Sequence, residues 1–285
     1  MTPALETKGL CKSFGALTVA NDIDFSLERG ARHALIGPNG AGKTTFVNLV
    51  TGALAPSAGR ILLDGSDITA LPQARRVKRG LARTFQLNSL FRCLSVLENV
   101  CLALGERLSV AGDMHRPAGS RRDVVEGAYA LLEQLLLADD AGRLVRELAY
   151  GRQRLVELAV ALGLEPRVLL LDEPAAGVPS SESGIIIAAI ERLPPEIGLL
   201  IIEHDMELVF RLAERITVLV QGRVLVEGTP QEIAADPRVR EVYLGGAGHA
   251  GARHADAGRA EAGHADAGGA DVGRADAGRA DAGHD

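Results

Sequence analysis

Apolar positions change spacing several times along the chain, and each spacing predicts a different element. Between residues 5 and 29 they alternate with polar ones, with Val19, Ile23, Phe25 and Leu27 as the apolar set and Phe14-Gly15 as a turn between two runs. That pattern predicts a small β-layer. His33-Ala34-Leu35-Ile36, Val168 to Leu171 and Leu199 to Ile202 are short continuous apolar runs, the mark of strands buried on both faces. From Leu87 to Leu162 the spacing becomes three and four: Val96, Leu97, Val100, Leu102 and Leu104 in one stretch, Val124, Val125, Ala128, Leu131, Leu132 and Leu135 in another. A helical lobe is expected there, over about 87–162, with 105–120 as a loop because it holds Gly112, Pro117 and Gly119. Arg60-Ile61-Leu62-Leu63 entering Asp64-Gly65, and Ile216 to Val220 joined to Val224 to Val226 by Gln221-Gly222-Arg223, predict hairpins.

After about Gly246 every one of these patterns stops. Residues 246–285 repeat Ala-Asp-Ala-Gly-Arg/His with a period of five. Five matches neither the helix nor the strand period, so no apolar face forms and a disordered low-complexity tail is expected, following one folded body over 1–245. His249, His254, His264 and His284 fit a solvated linker better than a metal site. The net charge of −6 divides evenly, since the tail's four Arg and seven acids leave −3 for each part. Neither part is basic, which counts against a nucleic-acid partner. The three cysteines, Cys11, Cys93 and Cys101, lack metal-ligand spacing and suit small buried apolar roles in a reducing compartment. The first residues carry no basic leader or apolar signal core, and no uncharged apolar run approaches the roughly 18 residues of a membrane span. A soluble chain is expected, with any membrane role exercised through a partner.

The candidate chemistry centres on Gly37-Pro38-Asn39-Gly40-Ala41-Gly42-Lys43-Thr44-Thr45. This string fits G-x-x-x-x-G-K-[ST], is led in by the Ile36 strand and is led out by Phe46-Val47-Asn48-Leu49-Val50 at helix spacing. Its glycines let the backbone turn sharply and present N–H groups to an anion at the positive end of the following helix. Lys43 then reaches β- and γ-phosphates, and the Thr44 hydroxyl ligates Mg²⁺. Val168-Leu169-Leu170-Leu171 runs into Asp172-Glu173-Pro174. Neighbouring residues at a strand end point to opposite sides, which allows Asp172 to hold the metal shell while Glu173 faces an attacking water. Two further strand ends carry polar side chains: Gln86 after Ala82-Arg83-Thr84-Phe85, placed for a metal or water, and His204 after Ile202-Glu203, placed for the γ-phosphate. Leu148-Ala149-Tyr150-Gly151-Arg152-Gln153-Arg154 opens a helix through Leu162, whose N-terminus is a second anion contact. Phe14 reads either as a core residue or as a face for a nucleotide base. Arg75-Arg76-Val77-Lys78-Arg79, with Arg83, reads as a solvated helix face.

In order and spacing, Gly37 to Thr45, Gln86, Leu148 to Arg154, Leu169 to Pro174 and His204 resemble an ABC-transporter nucleotide-binding domain over residues 5–244. More narrowly, the strings GPNGAGKTT, RTFQ, LAYGRQRLVELA, LLLDEPAAG and IIEHDM, with the segment from Glu227 to Gly245, resemble the ATP-binding subunit of branched-chain amino-acid importers. The resemblance implies an α/β fold: a P-loop NTPase with a RecA-like core, an antiparallel β-layer and an inserted helical lobe. It implies that two such subunits, identical or different, sandwich two ATP molecules, each site joining one cradle to the other subunit's Leu148, Ala149, Tyr150, Gly151 and Arg152. It implies that Phe14 stacks on adenine, Lys43, Thr44 and Asp172 hold phosphates and Mg²⁺, Gln86 senses the metal, Glu173 is the base and His204 contacts the γ-phosphate. The implied partners are two membrane permease subunits at the cytoplasmic face of the inner membrane and, indirectly, a periplasmic binding protein.

The sequence departs from that pattern where Ala149 replaces the usual Ser, Arg152 the usual Gln, and Pro179 an Asp or Asn. Arg152 is expected to supply positive charge near the anion. Urea, other amides or another amino acid are alternative cargoes. A soluble ATPase of translation or DNA repair would need a second such domain or a long coiled coil, and a small-molecule kinase leaves Leu148 to Arg154 and His204 without a role.

Overall fold

A computed structural model describes residues 2–84, 90–108 and 121–244. Gln86, most of the expected loop at 105–120 and the expected disordered tail lie outside the described residues.

Strands β1 (Leu5–Phe14) and β2 (Leu17–Leu27) form the first antiparallel pair, turning at Gly15 with φ 58°. β3 (Arg32–Ile36) leads through the glycine-rich loop into α1 (Lys43–Thr51). β4 (Ala58–Leu63) and β5 (Ser66–Asp67) complete a four-stranded layer ordered β2-β1-β4-β5. Between them Asp64 and Gly65 both take left-handed angles, φ 48° and 76°, as a two-residue hairpin with right-twisted strands requires. After α2 (Gln73–Lys78) and β6 (Leu81–Arg83) comes the helical lobe: α3 (Val96–Arg107), α4 (Arg122–Gln134) and α5 (Tyr150–Leu162). β7 (Val168–Asp172), α6 (Ser180–Glu191), β8 (Gly198–Ile202), α7 (Met206–Leu212) and the hairpin β9 (Arg215–Val220) with β10 (Arg223–Gly228) close the core. Helices α8 (Pro230–Ala235) and α9 (Pro237–Leu244) follow.

The second sheet runs β10-β9-β3-β8-β7-β6. All of its neighbours pair in parallel except the edge hairpin β9-β10. Leu35 pairs with Ile202 and Ile202 with Asp172, so the carboxyl ends of β3, β8 and β7 are level. That level edge is where open parallel sheets place their ligands. Beneath it α1 buries Phe46, Val47, Leu49 and Val50 against Leu35, Leu170, Leu200 and Leu219. Phe25 of the β-layer meets Phe46 edge-on at 5.4 Å, joining the two sheets through one core.

Two expectations need correcting. α3 continues through Gly105 to Arg107, so the first residues of the expected loop are helical. A mid-helix glycine costs only about 1 kcal/mol, and Leu104 packs beside Gly127 of α4, where an added Cβ would come within 2.8 Å of its Cδ2. The basic cluster is a solvated face except at Arg83, which lies on β6 and is largely buried, and at Arg76, which is fully buried. Its guanidinium donates to the carbonyls of Leu49 (2.8 Å), Val50 (2.7 Å), Thr69 (2.8 Å) and Leu71 (2.9 Å). The carbonyls in the last turn of a helix have no intrahelical partner, and Arg76 supplies one for the helix that follows the phosphate cradle. Among the described residues no helix is long and apolar enough to cross a membrane.

Candidate functional site

The loop between β3 and α1 is built around three left-handed or extended glycines, Gly37 (φ 155°), Gly40 (79°) and Gly42 (102°). A side chain at Gly37 would strike the Leu219 carbonyl, and one at Gly42 would come within 2.8 Å of the Val19 carbonyl. The β9-β10 turn braces the loop from below, with Gly222 donating to Ala41 (2.9 Å) and accepting from Asn21 (2.8 Å). Helix α1 starts with no side-chain cap and no acid in its first turn. Its leading N–H groups and the positive end of its dipole are thus offered to an anion. Asn39, Gly40 and Thr44 are exposed on this side, while Pro38 and Thr45 are half-buried.

Lys43 bends back and donates to the carbonyls of Gly37 (2.6 Å) and Pro38 (3.1 Å). Burial pushes its pKa down, and the negative charges of Glu173 and Asp172 push it back up. Both carboxylates therefore act on the lysine, which joins the cradle to the end of β7 through a shared electrostatic field. Asp172 and Glu173 do diverge. Asp172 faces β6, where Arg83 Nη2 donates to its Oδ2 at 2.5 Å. Glu173 leaves the strand at φ 46°, and its Oε1 lies 3.7 Å from His204 Nδ1. A left-handed angle at a non-glycine carboxylate is the kind of local strain that concentrates at functional sites.

Glu203, the residue between β8 and His204, belongs to the same edge and was not singled out by the sequence. Its carboxylate is buried and accepts the backbone N–H groups of His204 (3.1 Å), Ala175 (3.4 Å) and Asp205 (3.5 Å). Burial raises its pKa against those bonds. It ties the chain after Glu173 to the chain carrying His204. The available signal was its position, one acid at the end of an otherwise apolar run.

The helix start expected to be a second anion contact has a more particular geometry. Leu148 is buried and accepts from Gln153 Nε2 at 2.8 Å, and Ala149 caps α5 without a side-chain bond. The Gly151 N–H donates instead to Glu182 Oε2 of α6 at 3.1 Å, and the Tyr150 hydroxyl donates to the Ala176 carbonyl at 3.3 Å. This segment is thus fastened to the residues following Glu173. Arg152 pairs with the buried carboxylate of Asp140 and donates to the Leu136 carbonyl. A buried acid needs partners, and Asp140 pairs with both Arg152 and Arg143, the latter at 2.9 Å. Phe14 at the end of β1 is 53% exposed, with Lys12 Nζ 5.0 Å from its ring centroid. That leaves an aromatic face open to solvent, as the base-stacking alternative requires.

Among the described residues no cluster of three or more His, Cys, Asp or Glu side chains could hold a metal alone. The oxygen donors Thr44 and Asp172 fit Mg²⁺ nonetheless, because that ion is usually held by one or two protein oxygens together with phosphate and water.

Residues 20–176 match the family described as ABC transporter, and residues 223–249 match the one described as branched-chain amino acid ATP-binding cassette transporter. The chain is 40% identical over 252 residues to BraF of Pseudomonas aeruginosa, a high-affinity branched-chain amino acid transport ATP-binding protein. The match covers 86% of this chain and 99% of BraF. It is 38% identical, with the same coverage, to LivG of Escherichia coli, which bears the same description. Among solved structures, an ATP-binding cassette of an ABC transporter in its ADP conformation matches with a TM-score of 0.76 at 31% identity, covering 86% of this chain and all of that one. A nucleotide-free cassette matches with a TM-score of 0.74 at 30% identity, covering 85% and 98%.

Proposed function

Because the chain belongs to the ABC transporter family of ATP-binding proteins, whose members bind and hydrolyse ATP, we propose that it powers import of branched-chain amino acids through a membrane permease. The observation that carries the ATPase half is the level edge of β3, β7 and β8, where Lys43 feels both Asp172 and Glu173. Support for the cargo comes from the match at residues 223–249 and from BraF and LivG.

In this reading the cradle from Gly37 to Thr45 binds the phosphates through backbone N–H groups. Lys43 leaves the carbonyls of Gly37 and Pro38 for the β- and γ-phosphates. Phe14 stacks on adenine. Thr44 and Asp172 hold Mg²⁺, assisted by Gln86. When bound, the ion neutralises charge on the phosphate oxygens as the terminal phosphoryl group departs. Glu173 accepts the proton of the attacking water, and His204 keeps its carboxylate oriented and contacts the γ-phosphate. A second ATPase subunit, identical or different, contributes its own Leu148 to Arg152 to the nucleotide. Closing the pair pulls on two permease subunits, and hydrolysis reopens it. The chain then sits on the cytoplasmic face of the membrane, held there by the permease, and meets a periplasmic binding protein only indirectly.

The test is reconstitution with candidate branched-chain amino-acid permease subunits from the same organism, followed by uptake of labelled leucine, isoleucine, valine and urea. ATP-dependent uptake of the three amino acids, lost without ATP, is the expected result. Uptake of urea alone would move the cargo to amides, and failure to associate with any permease would end the transport reading.

A further inference from the structure

Arg83 is the last residue of β6, beside the carboxyl end of β7. Its guanidinium is largely buried and reaches two elements of the site together: Nη2 donates to Asp172 Oδ2 at 2.5 Å, and Nη1 donates to Asn48 Oδ1 at 3.2 Å. Asn48 is on α1, one turn beyond Thr44. The guanidinium therefore bridges the carboxylate and the helix that, in the proposed function, supply the two protein oxygens of the Mg²⁺ site. Its Nε is buried without a hydrogen-bond partner, so the pose is incompletely satisfied and costs comparatively little to leave.

We propose that Arg83 is a positioning residue that holds Asp172 and α1 together before the divalent ion arrives and competes with that ion for the carboxylate, thereby setting the Mg²⁺ concentration at which nucleotide binding tightens. The inference rests on the ATP-binding reading of the same site. Two opposing effects decide its sign. Removing the guanidinium frees the carboxylate to move, which weakens metal binding. It also removes a positive charge beside a divalent cation, which strengthens it. The first effect is small because the Asp172 backbone is fixed by pairing with Ile202 of β8 and, on the other side, by its N–H bond to Thr84 Oγ1, just beyond β6, at 3.4 Å. The second is larger: a +1 charge hydrogen-bonded to the same carboxylate would oppose a +2 ion there on the order of tenfold even at the dielectric of water.

The experiment titrates Mg²⁺ against the affinity of a fluorescent ATP analogue for the full-length chain, for Arg83→Met and for Arg83→Lys, with thermal unfolding measured in parallel. For Arg83→Met the midpoint is expected to fall on the order of tenfold in Mg²⁺, with affinity in the presence of a chelator nearly unchanged. Arg83→Lys, which keeps the charge but cannot reach both partners as a planar fork, should stay near the parent midpoint. A midpoint that is unchanged or raised in Arg83→Met overturns the inference, including where the variant is merely less stable. A parent chain with no Mg²⁺-dependent tightening would instead remove the ATP-site reading, and this inference with it.

Discussion

Glu173 and His204 face each other across the ends of two neighbouring strands, Oε1 to Nδ1 at 3.7 Å, with both side chains open to solvent. The carboxylate projects from a left-handed backbone, and the Glu173 N–H is fixed to the Ile202 carbonyl at 2.9 Å. In the proposed function a base placed this way acts on water above the cradle without contributing to phosphate binding. Glu173→Gln keeps the size and the His204 contact but removes proton affinity. It should retain ATP binding and lower turnover about 10²-fold or more. Single-turnover hydrolysis measured beside nucleotide affinity checks this, and near-normal turnover would remove Glu173 from the role.

Lys43→Ala should act on the other quantity. The lysine's present bonds are to the carbonyls of its own loop, so its loss costs the fold little. Charge-assisted bonds to phosphate contribute about 1.5–3 kcal/mol, and nucleotide affinity should fall roughly ten- to a hundredfold. Titration with a fluorescent nucleotide measures it, and an unchanged dissociation constant would place the phosphates elsewhere.

Much of this site was legible in the sequence because its signals are local. The glycines at 37, 40 and 42, the acids ending the Val168 run and the Gln221-Gly222 turn depend on backbone geometry within a few residues, and each is found where the pattern put it. Arg76, Arg83, Arg152 and Glu182 were different. Arg76 meets Leu49 across 27 positions, Arg83 meets Asp172 across 89 and Glu182 meets Gly151 across 31. A polar side chain looks solvated until the fold brings it a partner, and no period in the sequence records that partner. The absent Ser at Ala149 was visible. The bond from the Gly151 N–H to a carboxylate of another helix was not.

Arg76 and Arg75 are adjacent in sequence, one fully buried and the other exposed, and they should separate cleanly in stability. Arg76→Met keeps most of the volume but removes the side-chain donor from four carbonyls, two of them in the last turns of α1, where Leu49 keeps the Gly52 N–H at 3.2 Å. Unpaired buried acceptors cost about 1–3 kcal/mol each before relaxation and water entry, so a net loss of about 2–4 kcal/mol is expected. Arg75→Met should fall within about 0.5 kcal/mol of the parent. Urea unfolding of both variants tests the contrast, and equal midpoints would deny Arg76 its capping role.

His33 gives the fold an acid limit whose sign can be worked out. It lies buried on β3, its Nε2 2.8 Å from Thr217 Oγ1 and its ring 4.7 Å from Phe25. Burial pushes its pKa down from 6.5 to about 4; Glu227 and the Ser26 backbone act upward, and Arg215 acts further downward. The proton therefore prefers the unfolded chain. The neutral ring's contribution is complete above about pH 6.5 and is lost as pH falls toward 4. Between pH 7 and pH 5 the loss should be about 2 kcal/mol. Glu157 and Glu203, whose pKa values burial raises, act in the opposite sense, because their folded forms hold protons more readily as pH falls. The parent's total slope thus mixes both effects, and the difference between the parent and His33→Gln isolates the histidine. Urea unfolding at the two pH values should show the gap between parent and variant narrowing at pH 5 by about 2 kcal/mol. A constant gap would mean that the buried imidazole titrates as it does in the unfolded chain.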